Sequence, residues 1–200
     1  MNNSDSKDKY LRSFTFVSRN KDNKSLLEHN IDYKQRSHGI VLHTDYTGIL
    51  LCEILNENFW DKIKPLFDEF VHQGLPGEVS RLYCGINVIE KSVVKKDLQH
   101  YLLDNDDVDL TNMNALIARL VEKGHPKATK HWLFDIDTTD QDTVMEFAAQ
   151  VPSRSQLFRT LHNYAVISEH GFDTREILKR FPCVTLKKNS PVFVLSGINS

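Results

Sequence analysis

Asp135 and Asp137 close a strongly apolar run, HWLFDIDTTD at 131–140, and two carboxylates one residue apart at a strand end suit several chemistries. Alternate residues of an extended strand share a face. The two aspartates are therefore expected on one side and Ile136 in the opposite layer. Two hard oxygen ligands on one face can hold Mg²⁺ or Mn²⁺. A metal held in this way neutralises phosphate charge and orients an attacking oxygen, as phosphoryl or nucleotidyl transfer requires. The plainer reading ends the strand at Phe134 and gives the aspartates to a turn, where Asp favours local hydrogen bonds. A third carboxylate for the metal is Asp173 in GFDTRE, although Asp173 followed three residues later by Glu176 also reads as a helix start.

Phosphate needs cations. Lys123, Lys127, Lys130 and His131 lead into the aspartate strand, Lys187 and Lys188 follow CVTL, and Arg175 sits beside Asp173. Convergence of these segments would form a phosphate-facing patch; lysines solvated on loops are the alternative. Arg81 enters an otherwise apolar strand, SRLYCGINVI, so it needs a carboxylate or a phosphate partner, and Asp135 is one candidate. The expected phosphate or nucleotide set is Arg81, Lys130, His131, His162, Arg175, Lys187 and Lys188. Trp132, Tyr83 and Tyr164 are read as core, each being embedded among large apolar residues. The histidines show no zinc-ligand spacing.

Positioning these residues requires a sheet. LRSFTFVS (11–18), HGIVLHT (38–44), SRLYCGINVI (80–89), WLFDID (132–137), YAVIS (164–168), CVTLK (183–187) and PVFVL (191–195) read as strands by their β-branched and aromatic content. Helices are expected over 59–71, where Phe59, Ile63, Phe67 and Phe70 fall at helical spacing around Pro65, and over 92–104, burying Val93, Val94, Leu98, Tyr101 and Leu102. Three more are expected over 110–124 with a glycine stop, from about 140 after a Thr139–Asp142 capping box, and over 174–181. LKKNSP reads as a hairpin between the last two strands. The order predicts an α+β (mixed α/β) fold with one central mixed sheet, WLFDID lying between SRLYCGIN and YAVIS.

Two hundred residues with 40% hydrophobic content suit one domain. Residues 1–9 are expected to be disordered, and 10–200 to divide into an N-terminal lobe (10–78) and a core (79–200). The 25 basic and 27 acidic residues leave a net charge of −2, which excludes a global nucleic-acid-binding field and leaves only a local patch. MNNSDSKDKY has no apolar signal core and no run is long enough for a membrane span. A cytoplasmic protein with no membrane partner is expected, its three scattered cysteines reduced.

In order, SRLYCGIN, WLFDIDTTD, HNYAVISEHGFDTR and VTLKKN resemble the motifs of phage-encoded proteins related to the archaeo-eukaryotic primase superfamily, over residues 80 to 195. The resemblance implies a primase-like (RRM-like) core with metal-binding Asp135 and Asp137, a later acidic residue at Asp173, and a histidine for the nucleotide phosphates on a following strand. Ala165 stands where that histidine belongs, with His162 and His170 nearby. The implied protein binds a nucleotide or nucleic-acid phosphate through a divalent metal, with nucleotidyl transfer weak or lost, in the host cytoplasm. Two other readings stay open. One is a non-catalytic phage interaction protein that inhibits a host or anti-phage defence factor. The other is a haloacid-dehalogenase-like phosphatase with Asp135 as nucleophile and Asp137 as acid/base, which needs a second acidic pair downstream.

Overall fold

The computed structural model describes residues 9–29, 32–123 and 126–200; the expected disorder of residues 1–8 and the glycine stop at Gly124 lie outside the described residues. The strands are β1 (Tyr10–Ser18), β2 (Arg36–Thr44), β3 (Val79–Gly85), β4 (Ile89–Glu90), β5 (His131–Ile136), β6 (Ser155–Arg159), β7 (Tyr164–Glu169), β8 (Val184–Lys187) and β9 (Pro191–Ile198). The helices are α1 (Lys24–His29), α2 (Leu51–Ile54), α3 (Glu57–His72), α4 (Lys91–Asp104), α5 (Met113–Lys123), α6 (Gln141–Gln150) and α7 (Arg175–Arg180). The fold is α+β, as expected, but no single mixed sheet forms. Two sheets do, one ordered β2-β1-β3-β9 with β4 beside β1 and the other ordered β6-β7-β5-β8, and every strand pair is antiparallel.

The first sheet owes its core to α3. Phe59, Ile63, Phe67 and Phe70 bury their stripe against Phe14 and Phe16 of β1, with Phe16 edge-on to Phe67 at 5.5 Å and to Phe70 at 5.7 Å. Burying four such side chains contributes roughly 6–12 kcal/mol, against about 3 kcal/mol for a proline inside a helix. The helix accordingly continues through Pro65. On the other side of the sheet, Leu11, Ile89, Val94 and Val121 form a second core with α4 and α5. Gly39 of β2 is needed there, because a Cβ would stand 2.8 Å from that of Ala118. Of the expected core face of α4 only Val94 is buried, and Leu102 is exposed; α4 lies at the rim, where one apolar position suffices.

The second sheet is packed on one face by α6. Phe134, Ile136, Val166 and Val184 meet Val144 and Phe147 of the helix, which Asp140 caps by accepting from the backbone N–H groups of Asp142 and Thr143; the cap falls one residue past the expected Thr139. β5 is internal, as expected, with β7 on one side. Its other neighbour is β8, and SRLYCGIN belongs to the first sheet between β1 and β9. The first sheet thus draws strands from both sides of residue 78. Nor is LKKNSP a hairpin, since β8 pairs with β5 while β9 pairs with β3.

Asn87 supplies the physical reason for that crossover. Its buried amide donates to His131 O at 3.0 Å and to Asn189 Oδ1 at 3.0 Å, and its Oδ1 accepts from His131 N at 2.6 Å. One side chain after β3 therefore ties the start of β5 to the loop where the chain changes sheets. No helix of the described residues is long and apolar enough to cross a membrane.

Candidate functional site

A cavity of about 360 Å³ lies where the two sheets meet, lined by residues of both. The second sheet supplies its acidic wall. Asp135 stands opposite Ala165 of β7 and Thr185 of β8, so these three share one face with Leu133, and Lys187, opposite Leu133, reaches along it to salt-bridge Asp135. Ile136 enters the α6 core instead, so the expected division of the strand between two layers holds. Asp137 lies one residue beyond β5. Its backbone N–H donates to Cys183 O at 2.8 Å, and its Oδ1 accepts from Asn163 Nδ2 at 3.0 Å. Asn163 is held by a tight turn in which Thr160 N donates to Asn163 O at 2.8 Å, and the same turn brings Leu161 and His162 to the cavity.

The first sheet supplies a basic and aromatic wall. Arg81 and Tyr83 alternate with Leu82 and Cys84 along β3 and leave the face that α3 covers. Arg19 and Lys21 come from the turn after β1, and Phe193 from β9. Tyr83 and Phe193 meet edge-on at 6.0 Å, and the Arg19 guanidinium lies 5.6 Å over the Tyr83 ring. Asp22 accepts from Arg19 Nε at 2.9 Å and from Arg81. Two of the three cations on this wall, Arg19 and Arg81, therefore share one carboxylate. Arg81 is buried, its Nε has no partner, and neither has Arg19 Nη2. Buried donors left without acceptors are costly and rare, and here two of them belong to arginines lining one cavity.

Of the residues expected from the sequence, the cavity gathers Asp135, Asp137, Arg81, His162 and Lys187. The partner of Arg81 is Asp22 rather than Asp135. His131 is buried, with Nδ1 3.1 Å from Ile86 O, and burial pushes its pKa down; it is a packed strand residue, not a phosphate ligand. Lys130 and Lys188 line a separate groove with Lys127, Trp132 and His170, in part the basic convergence expected. Asp173 and Arg175 bind one another at the start of α7, where Arg175 also donates its backbone N–H at 3.0 Å and holds the carboxyl down at about 2. Asp173 thus stands at the helix start, meeting the first helical N–H, but the cap position expected for it is taken by Thr174. Sequence reasoning missed Arg19, Lys21, Asn163 and Phe193, and assigned Tyr83 to the core. No spacing reveals them, because the pairing of Val17 with Arg81 joins segments more than sixty residues apart.

Among the described residues no group of three or more His, Cys, Asp or Glu side chains gathers as a metal site, so Asp173 does not complete a carboxylate triad. The donor set of Asp135 and Asp137 still fits Mg²⁺ or Mn²⁺, since such ions are often held by one or two carboxylates with water and substrate phosphates in the other positions. Lys187 is the cation that Asp135 meets in this structure. No family model, curated protein or solved structure matches the chain.

Proposed function

We propose that the cleft binds the phosphates of a nucleotide or a nucleic acid through Mg²⁺ or Mn²⁺ at Asp135 and Asp137, in a primase-like core whose nucleotidyl transfer is weak or lost. The observation that carries this reading is the pairing of two carboxylates, on one wall, with three cations on the other, two of which share a single counter-carboxylate. The bound ion supplies charge neutralisation and phosphate orientation. Arg19, Lys21 and Arg81 take the remaining phosphate oxygens, and Lys187 is freed to do the same once a metal replaces it at Asp135. Tyr83 and Phe193 offer an aromatic wall beside the phosphate site.

Ala165 supports the second half of the proposal. It faces Asp135 directly across the β5–β7 pair, where the resemblance puts a phosphate-binding histidine, and a methyl group offers no donor. Positioning and charge stabilisation account for most of phosphoryl transfer, so the missing ligand costs on the order of a hundredfold or more in rate. The phosphatase reading lacks its second acidic pair, since Asp135 and Asp137 are the only acids of the described residues lining the cavity.

Calorimetry with Mn²⁺ and a nucleoside triphosphate tests the site. Binding is expected to fall at least tenfold in Asp135→Ala/Asp137→Ala while the melting temperature holds. Equal binding by both proteins removes the site. With a single-stranded template, Mn²⁺ and all four nucleotides, no extension products are expected; products that vanish in Asp135→Ala would overturn the loss of catalysis. Absence of any Mn²⁺ or nucleotide binding would leave the reading of an interaction protein directed at a host or defence factor.

A further inference from the structure

The groove lined by Lys130 and Lys188 has a volume of about 540 Å³ and opens at the start of β5. Strand alternation fixes the side of the sheet it occupies. Trp132 packs with Phe134 and Ile136 on the face that α6 covers, whereas Leu133 and Asp135 point the other way. β5 pairs with β8 so that Leu133 meets Lys187, and one step further in that register brings Lys188 beside Trp132. β5 pairs with β7 so that His131 meets Glu169, and one step further brings His170 beside Lys130. Two cations and two rings are thereby gathered around one strand end. The crossover from β8 to β9 divides this groove from the cleft, since Lys187, Ser190 and Pro191 line the cleft while Lys188 and Asn189 line the groove.

Charge and aromatic character decide what fits. Among the described residues the groove has three lysines on its wall and no carboxylate. Lys127 is already committed, its ammonium donating to Val121 O and, at 2.8 Å, to Glu122 O at the end of α5. Lys130 and Lys188 are exposed and form no salt bridge with any described residue. The whole chain carries a net charge of −2, so this is a local concentration of positive charge rather than part of a basic surface. Trp132 is half-buried between them. Phe172 meets its indole at 5.2 Å and 61°, His170 at 6.2 Å and 75°, and Phe134 at 6.4 Å and 80°. All three stand steeply to it, so these rings supply no parallel stacking partner. An indole flanked by unpaired ammonium groups matches flat rings joined by phosphates, which an unpaired nucleotide strand carries at every residue. A duplex hides its base faces, and an acidic peptide has the charge without the rings.

We propose that this groove binds single-stranded nucleic acid without a metal, one base stacking on Trp132 and the flanking phosphates meeting Lys130 and Lys188. The site is separate from the Asp135 cleft and stands whether or not that cleft binds a metal.

Trp60 and Trp132 are the two tryptophans of the chain, so Trp60→Phe leaves Trp132 as the sole indole emitter. Titrating that variant in EDTA with an oligothymidylate of about twelve nucleotides is expected to quench the indole saturably. A blunt duplex of the same length and a polyglutamate of equal charge are expected to bind at least tenfold more weakly. Anisotropy of the labelled oligonucleotide then compares further variants of the full chain. Lys130→Gln/Lys188→Gln is expected to weaken binding about tenfold and to lower the slope of log affinity against log salt by roughly 1.4, the value for two phosphate contacts on a single strand. Trp132→Leu is expected to weaken binding about tenfold with the slope unchanged, and Asp135→Ala/Asp137→Ala to bind as the wild type does. No quenching, equal binding of duplex or polyglutamate, an unchanged salt slope in the lysine variant, or loss of binding in the cleft variant would each overturn the assignment. If Trp132→Leu does not fold, the quenching and the lysine variant still decide.

Discussion

Replacing Asp22 by alanine tests the basic wall of the cleft through stability rather than binding. The Asp22 side chain is only 7% exposed, and those of Arg81 and Arg19 are 11% and 26% exposed. Removing the one carboxylate they share strands Arg81 in a nearly dry position, where breaking a buried pair costs about 3–5 kcal/mol. Arg19 relieves part of that by turning toward water, which favours the lower end of the range. For a chain of this size each kcal/mol moves the melting temperature by roughly 2–4 °C, so Asp22→Ala is expected to melt roughly 6–20 °C below the wild type. Inorganic phosphate at constant ionic strength should recover more of the loss in the variant than it adds to the wild type, because an anion in the cleft then meets two unpaired guanidinium groups. The control is Asp173→Ala, whose ion pair with Arg175 is solvated and whose melting temperature is expected to stay unchanged. A fall of less than about 2 °C in Asp22→Ala, with no phosphate effect, would refute the argument that these arginines depend on that carboxylate.

Lys187→Met removes the cation that competes for Asp135. Both partners are partly exposed, so the competition is worth at most about 1 kcal/mol, and Mn²⁺ measured calorimetrically is expected to bind up to about fivefold more tightly; weaker Mn²⁺ binding would show that Lys187 organises the site instead. His131 gives a pH dependence. Burial holds its folded pKa below the ordinary value of 6.5, so as the pH falls through 6.5 the unfolded chain takes up a proton that the folded chain refuses, and stability drops. Urea unfolding of His131→Asn is expected to lose that part of the acid-side slope, and an unchanged slope would reassign it to other groups.

The local elements were legible wherever β-branched and aromatic residues cluster. β1, β2 and β7 fall within two residues of their expected ends, because such side chains favour the extended, pleated backbone whether one face is buried or both. β6 escaped notice because SQLFR carries only two large apolar residues and no β-branched one. Partnership between strands was much less legible. Seven of the strands carry similar apolar content, and composition does not say that β3 pairs with β1 and β9 while β5 pairs with β7 and β8. That choice is made by contacts distant in sequence, such as Asn87 holding the β5 start and the β8–β9 loop together. The candidate site divides in the same way. Asp135 and Asp137 share a face by the geometry of one strand, which is why the acidic pair was visible, whereas Lys187 joins them only through the pairing of β8 with β5. The opposite wall exists only because β3 turns Arg81 and Tyr83 away from the α3 core toward a turn that follows β1. Antiparallel register then decides what the acidic wall can do. Asp135 has Ala165 as its direct neighbour across β7, and a slip of one residue would instead present Tyr164 or Val166 and turn the whole strand over. The residue that limits the chemistry of the cleft is therefore fixed by the same pairing that builds it.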